Sequence, residues 1–288
     1  MKFTSIQAVA AIAVGVGPNA VAAWGNVGHE TIGYIAMSFI GPDTLSFVKS
    51  SLGSQYNFSL GPAAPWADEV RSEKEFAFSA PFHFIDAEDS PLQDMCSVVQ
   101  SRDCGSEGCI LSAIQNYTTR LIDTKLDAEQ RQEALKFVTH FVGDIGQPLH
   151  VEALELGGND ISAVCDGAKT NLHAAWDTGM LVKNVDAIHG GDPQVYAADL
   201  VSRINTGDFK SLSASWVSCI TSSALSSTAC PLVWAKEANS FDCSEVFTFT
   251  TGEDLCNSAY FTSAIPVIDL QLAKQGFRLA KWLDAIFE

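Results

Sequence analysis

Apolar side chains recur along this chain mostly at intervals of three and four, a spacing that predicts helices almost from end to end. Over residues 27–40, Ile32, Ile35, Ala36 and Phe39 fall on one helical face. Pro65 suits the first turn of a helix, where no amide proton is needed. It launches a helix over 66–72 that carries Asp68 and Arg71 three apart on one face. Residues 110–123 and 128–146 read as amphipathic helices, the second stopped by Gly146 and Pro148. Further helices are expected at 171–183, 194–205, 209–218, 231–240 and 265–286. The best strand candidate is short, the alternating Val-Phe-Thr-Phe-Thr at 246–250. Alternation sufficient for a large sheet is missing. The pattern predicts an all-α fold, a single mainly helical domain with little β.

The first residues follow a different pattern. Residues 1–23 join a basic start at Lys2 to an apolar run from Ile6 to Val16 and a small-residue end, Val21-Ala-Ala23. That is the layout of a secretory signal with a cleavage site of the Ala-x-Ala type. The run is too short to span a bilayer and holds Gly and Pro, and no later stretch offers a spanning helix. Residues 24–288 are then the mature chain, read as one secreted domain because no linker, repeat or low-complexity tract divides them. Charged residues make up only 18% and hydrophobic ones 47%, in keeping with a well-packed globule. The formal net charge of −17 argues against a basic groove for nucleic acid. A polyanionic substrate would need local attraction by metal ions and a few cations.

All eight cysteines lie beyond residue 23. An even number behind a signal sequence points to disulfides instead of zinc thiolates. Cys104 and Cys109 can close a small loop, and Cys219 and Cys230 flank a Ser/Thr-rich stretch and can pair locally. The pairing of Cys96, Cys165, Cys243 and Cys256 stays open at this point. Asn57-Phe-Ser59 and Asn116-Tyr-Thr118 are acceptor sequences for N-glycans in a secretory pathway.

Five of the six histidines stand beside aspartates in a repeated arrangement. His140-x3-Asp144 and His173-x3-Asp177 each place an imidazole and a carboxylate on one helical face. His29, Asp68, His83 and His150 complete the set. Any one pair would pass for a surface ion pair, but the whole series reads as a metal cluster. Nitrogen and oxygen donors without sulfur suit zinc at a catalytic site. Cleavage after Ala23 would also make Trp24 the amino terminus. Its free amine and carbonyl oxygen could chelate a metal, with His29 about one turn away along a helix.

The motifs Trp24-Gly-Asn-Val-Gly-His29, Trp66-Ala-Asp68, His83-Phe-Ile-Asp86, Gly143-Asp144-Ile-Gly-Gln-Pro-Leu-His150, Gly157-Gly-Asn159 and Thr170-Asn-Leu-His173-x-x-Trp-Asp177 occur in this order. Together they resemble the zinc-dependent single-strand-specific nucleases of fungi and plants, the S-one/P-one or type I nuclease family, along the whole of 24–288. The resemblance implies a phospholipase C-like helical fold with three zinc ions in a cleft. One zinc would take Asp68, His83, His140 and Asp144. A second would take Trp24, His29 and the other oxygen of Asp144, and the third His150, His173 and Asp177. It implies a secreted, monomeric endonuclease that cuts single-stranded DNA and RNA at the P–O3′ bond with a zinc-bridged hydroxide. The products would carry 5′-phosphates, and 3′-nucleotides would also be substrates. Asp68 and Arg71 would be catalytic, while Phe84, Asp86, Leu156 and Asn159 would hold the base. The resemblance also implies a Cys96–Cys243 disulfide. His189 is left over as a loop residue. The alternative is a secreted zinc phospholipase C, which should show a choline site and an apolar rim in place of Arg71 and the base pocket. A non-catalytic metal-binding protein would need a broken ligand set, and none is broken.

Overall fold

The computed structural model describes residues 24–288, so the expected signal segment lies outside the described residues. Eight helices of ten residues or more form its frame: α1 (Asn26–Phe39), α2 (Pro42–Leu52), α3 (Ile110–Ile122), α4 (Ala128–Asp144), α5 (Met180–His189), α6 (Pro193–Asn205), α7 (Ala229–Ser244) and α8 (Ala259–Phe287). The long α8 packs against α1, α3 against α4, and α6 against α1. Gly276 lets α8 approach α1, since a Cβ there would lie 2.4 Å from Ile35. None of the described helices is long and apolar enough to cross a membrane.

Local chemistry sets the helix boundaries. Asp127 caps α4 by accepting from the Gln130 amide at 2.8 Å. Asp192 caps α6 in the same way, with Pro193 in its first turn. These side chains satisfy amides that the helix itself leaves free. In α4 every residue from Ala134 to Asp144 is buried. Leu135, Val138, Phe141 and Val142 fill the core, and the same stretch carries His140 and Asp144 into it.

Several expected elements differ. The segment 246–250 is not a strand; Val246–Thr248 forms a 3₁₀ turn, with the Val246 carbonyl accepting from the Tyr260 hydroxyl at 2.6 Å. Its alternation suits a strand, but a strand is stable only beside a partner, and none pairs with it among the described residues. The sheet present is instead a hairpin of β1 (Ser162–Cys165) and β2 (Ala168–Asn171), turned by Asp166-Gly167 with both residues left-handed. Asp-Gly is a strong signal for such a turn. The helix expected at 171–183 is broken into a short Leu172–Ala174 turn, a π-helical turn at Ala175–Gly179, and α5. Only Ser213–Trp216 of 209–218 is helical. His189 is no loop residue; it ends α5 with its ring 4.7 Å from Tyr196.

Four disulfides join Cys96 to Cys243, Cys104 to Cys109, Cys165 to Cys256 and Cys219 to Cys230. Asn57 is exposed in the turn after α2. Asn116 is exposed on α3, whose buried Thr118 accepts from the Trp282 indole.

Candidate metal centre

Four elements bring the histidines and aspartates together. His29 comes from α1, Asp68 from a short helix at Trp66–Val70, His83 from the end of a 3₁₀ helix at Ala77–His83, and His140 and Asp144 from α4. Donor atoms of Asp68, His83 and His140 lie within 4.8 Å of one another, as do those of His29, His140 and Asp144. Asp144 faces both ways: one oxygen is 3.1 Å from His29 Nε2, and the other is 3.1 Å from both His83 Nδ1 and His140 Nε2. A carboxylate with its oxygens turned to different imidazoles is poised to bridge two cations. A separate group gathers His150, His173 and Asp177, again within 4.8 Å. His150 sits on the Pro148–Val151 turn after the helix break, His173 follows the β-hairpin, and Asp177 lies in the π-helical turn. Such turns concentrate at functional sites.

The donor atoms fit metal better than they fit each other. Buried atoms without a hydrogen-bond partner include Asp68 Oδ1, Asp144 Oδ1, Asp177 Oδ2 and the Nε2 atoms of His29, His150 and His173. Leaving such groups unpaired costs free energy, and a cation removes the cost. Three of the rings are also locked from behind. Nδ1 of His140 donates to the Ala64 carbonyl at 2.7 Å, that of His150 to His83 at 2.8 Å, and that of His173 to Gly157 at 2.7 Å. Each bond puts the proton on Nδ1 and frees Nε2 as a ligand.

Electrostatics agrees. Burial, helped by neighbouring His140, lowers the pKa of His29 and favours its neutral form. Burial likewise lowers His83. His140 goes the other way: burial opposes charge, yet Asp144 and Asp68 outweigh it and push the pKa to about 10. Burial opposes charge on His150 too, but Asp177 and Asp144 raise it to about 9. The carboxylates thus demand positive charge at both groups.

A cavity of about 200 Å³ opens beside these groups. His83, His150 and His173 form one side of it, and Arg71, Phe84, Asp86, Leu156 and Asn159 also line it. Arg71 Nη1 lies 3.4 Å from Asp68 Oδ1, one turn along the same helix. Burial, with Glu88 and Asp103 nearby, raises the Asp86 pKa. Leu156 is 68% exposed on a loop where Glu155, Leu156 and Gly157 are all left-handed. The Asn159 amide donates to the Leu156 carbonyl at 2.8 Å, tying that loop to the cavity wall. Trp24 is fully buried, and the Gly25 amide donates to the Asp177 carbonyl at 2.9 Å.

Sequence reasoning gave no role to three cavity residues, Leu149, Glu152 and Gly157. Burial pushes Glu152 up to about 8, with Asp89 beside it. It also missed Lys136, whose ammonium lies 3.6 Å over the Trp66 ring and ties the Asp68 helix to α4. One clue was visible, since Lys136 precedes His140 by one turn of the same helix.

A model of the S1/P1 nuclease family matches residues 24–288. Nuclease S1 of Aspergillus oryzae (strain ATCC 42149 / RIB 40) is 43% identical over 267 residues, covering 91% of each chain. Nuclease P1 of Penicillium citrinum is 40% identical over 268 residues, covering 91% of this chain and 97% of that one. Endonuclease 3 of Arabidopsis thaliana is 32% identical over 275 residues, covering 93% and 90%. With imidazoles and carboxylates converging beside a cavity, and a match that runs the length of the described chain, this protein is a phosphodiester-cleaving hydrolase and belongs to the S1/P1 nuclease family, whose cofactor is zinc.

Proposed function

We propose that the protein is a secreted endonuclease that hydrolyses single-stranded DNA and RNA at the P–O3′ bond, leaving 5′-phosphates, and that it also acts as a 3′-nucleotidase. Residues 1–23 would be removed as a signal, and 24–288 would act as one monomeric nuclease domain. Three zinc ions are assigned: one to Asp68, His83, His140 and Asp144, one to Trp24, His29 and Asp144, and one to His150, His173 and Asp177. Bound zinc makes an attacking water more acidic and offsets charge on the phosphate.

The chain's own residues do the rest. The Asp68 carboxylate orients the attacking water toward phosphorus. Arg71 clamps the non-bridging oxygens with charged hydrogen bonds, which strengthen as negative charge builds. The His150 group serves the leaving 3′ oxygen. Phe84 and Leu156 flank a base, while Asp86 and Asn159 hydrogen-bond its edge. A base can enter this slot only after leaving its stack, which penalises duplexes.

The observation that carries this reading is the shared wall: histidines of both metal groups line the same cavity as Arg71, Phe84, Asp86 and Asn159. The test is a parallel assay of single-stranded DNA, RNA, a 3′-nucleotide and phosphatidylcholine, each before and after chelation. Cleavage of the three nucleotide substrates, abolished by chelation and restored by zinc, is expected. Hydrolysis of phosphatidylcholine alone would overturn the proposal in favour of a phospholipase C.

A further inference from the structure

Gln147 connects the two metal groups, its side chain bonded to Asp177 and its main chain to Asp144. It is fully buried between the end of α4 and the Pro148–Val151 turn. Its amide Nε2 donates to Asp177 Oδ1 at 2.5 Å, and its Oε1 accepts from the Leu149 amide at 2.6 Å. Its main chain is held as well. The Gln147 amide donates to the Asp144 carbonyl at 2.9 Å, and the Gln147 carbonyl accepts from the His150 amide at 3.0 Å. One residue therefore touches the bridging Asp144, the turn that presents His150, and the Asp177 carboxylate.

The consequence lies in how Asp177 is aimed. Its Oδ1 is occupied by Gln147, so Oδ2 faces His173 Nε2 at 2.9 Å and His150 Nε2 at 3.8 Å. Oδ2 and both imidazole nitrogens are buried and otherwise unpartnered. The Gln147 amide donates a hydrogen bond to Asp177 through Nε2 while its Oε1 accepts from the turn carrying His150. We infer that Gln147 is a positioning residue for the separate metal site, fixing the direction of Asp177 and the placement of His150 together. The inference rests on the proposed assignment of His150, His173 and Asp177 as ligands.

Gln147→Glu isolates the bond to Asp177, because it keeps the shape and the oxygen that caps Leu149 but removes the donor. Gln147→Met keeps the length, loses both bonds, and serves as a second variant should the first fail to fold. Gln271→Leu is the structural control: Gln271 is equally buried and bonds the Gly146 carbonyl at 2.6 Å on the same loop, without a bond to any of the clustered carboxylates. Bound zinc is counted by mass spectrometry after dialysis, and its affinity is read by competition with a chromogenic chelator. Loss of a partner behind a ligand typically costs about 10–100-fold in metal affinity. Gln147→Glu is expected to lose that much at one zinc equivalent, with the remainder held as in the parent, while Gln271→Leu keeps parental affinity throughout. Parental or tighter binding by Gln147→Glu overturns the inference, as does an equal loss in Gln271→Leu. His173→Ala separates the two levels. If it retains every zinc equivalent, the ligand assignment is wrong. If it loses one and Gln147→Glu loses none, only the positioning role falls.

Discussion

Gly157 offers a quantitative test of the loop beside the cavity. Its φ is +60°, and a Cβ there would lie 2.5 Å from the Leu149 carbonyl oxygen and 3.5 Å from His173 Nδ1. Gly157→Ala therefore meets two penalties. A left-handed conformation costs an L-residue about 1–2 kcal/mol, and forcing an atom into occupied space costs roughly 1–3 kcal/mol. The sum is about 2–5 kcal/mol, or roughly 4–10 °C in melting temperature at about 2 °C per kcal/mol for a chain of this size. The clash is with backbone, so either the Gly157 loop or the turn bearing His150 must move. Movement of the loop would break the bond from His173 Nδ1 to the Gly157 carbonyl. Zinc affinity at that group should then drop by about 10-fold or more, and kcat/KM on single-stranded DNA should fall with it. Gly167→Ala is the matched control, with φ +73° and nothing within 4 Å. It should cost about 1–2 kcal/mol and leave zinc content and activity unchanged. Thermal melts, zinc counts and kinetics on both variants decide the matter. If Gly157→Ala merely matches Gly167→Ala in all three, the contact with Leu149 does not govern the site.

Three other outcomes are expected. Asp68→Asn should lower kcat by about 10² or more, whereas Phe84→Ala should act mainly through lost stacking worth roughly 1–3 kcal/mol; unchanged kinetics for Phe84→Ala on every nucleotide would remove it from the base site. Burial beside Glu152 and Asp89, with Asn239 as the nearby amide, raises the pKa of Asp242 well above 3.8. The folded state then holds a proton the unfolded state releases, so this group's stabilisation is complete below its unfolded pKa and is lost as pH rises toward the folded value. Asp242→Asn should flatten that decline; an unaltered profile of stability against pH would show that the carboxyl does not titrate this way. Finally, a Gly-Ser extension before Trp24 turns its amine into an amide, a poor zinc donor. It should cost about one zinc equivalent and most activity, and equal activity of extended and free forms would remove Trp24 from the ligand set.

The helical spacing of the sequence determined a great deal, because an α-helix is a local structure. The pairs His140/Asp144 and His173/Asp177 do meet, at 3.1 and 2.9 Å, as a four-residue interval demands. Pro65, Pro148 and Asp127 mark helix boundaries through side-chain chemistry that acts within one turn. Tertiary packing decided what no interval encodes. It set His29 against one oxygen of Asp144 and His83 against the other, across 115 and 61 positions of chain. It also left 246–250 without a neighbouring strand, so its alternation had nothing to pair with, while the Asp166-Gly167 turn supplied both strands of its own hairpin. Gln147 and Glu152 were invisible as functional residues for the same reason. Gln147 lies inside a motif and Glu152 just beyond it, but their partners, Asp177 for one and Asp89 for the other, are brought to them only by the fold. Periodicity reports which face of a helix is buried, and packing alone decides what that face meets.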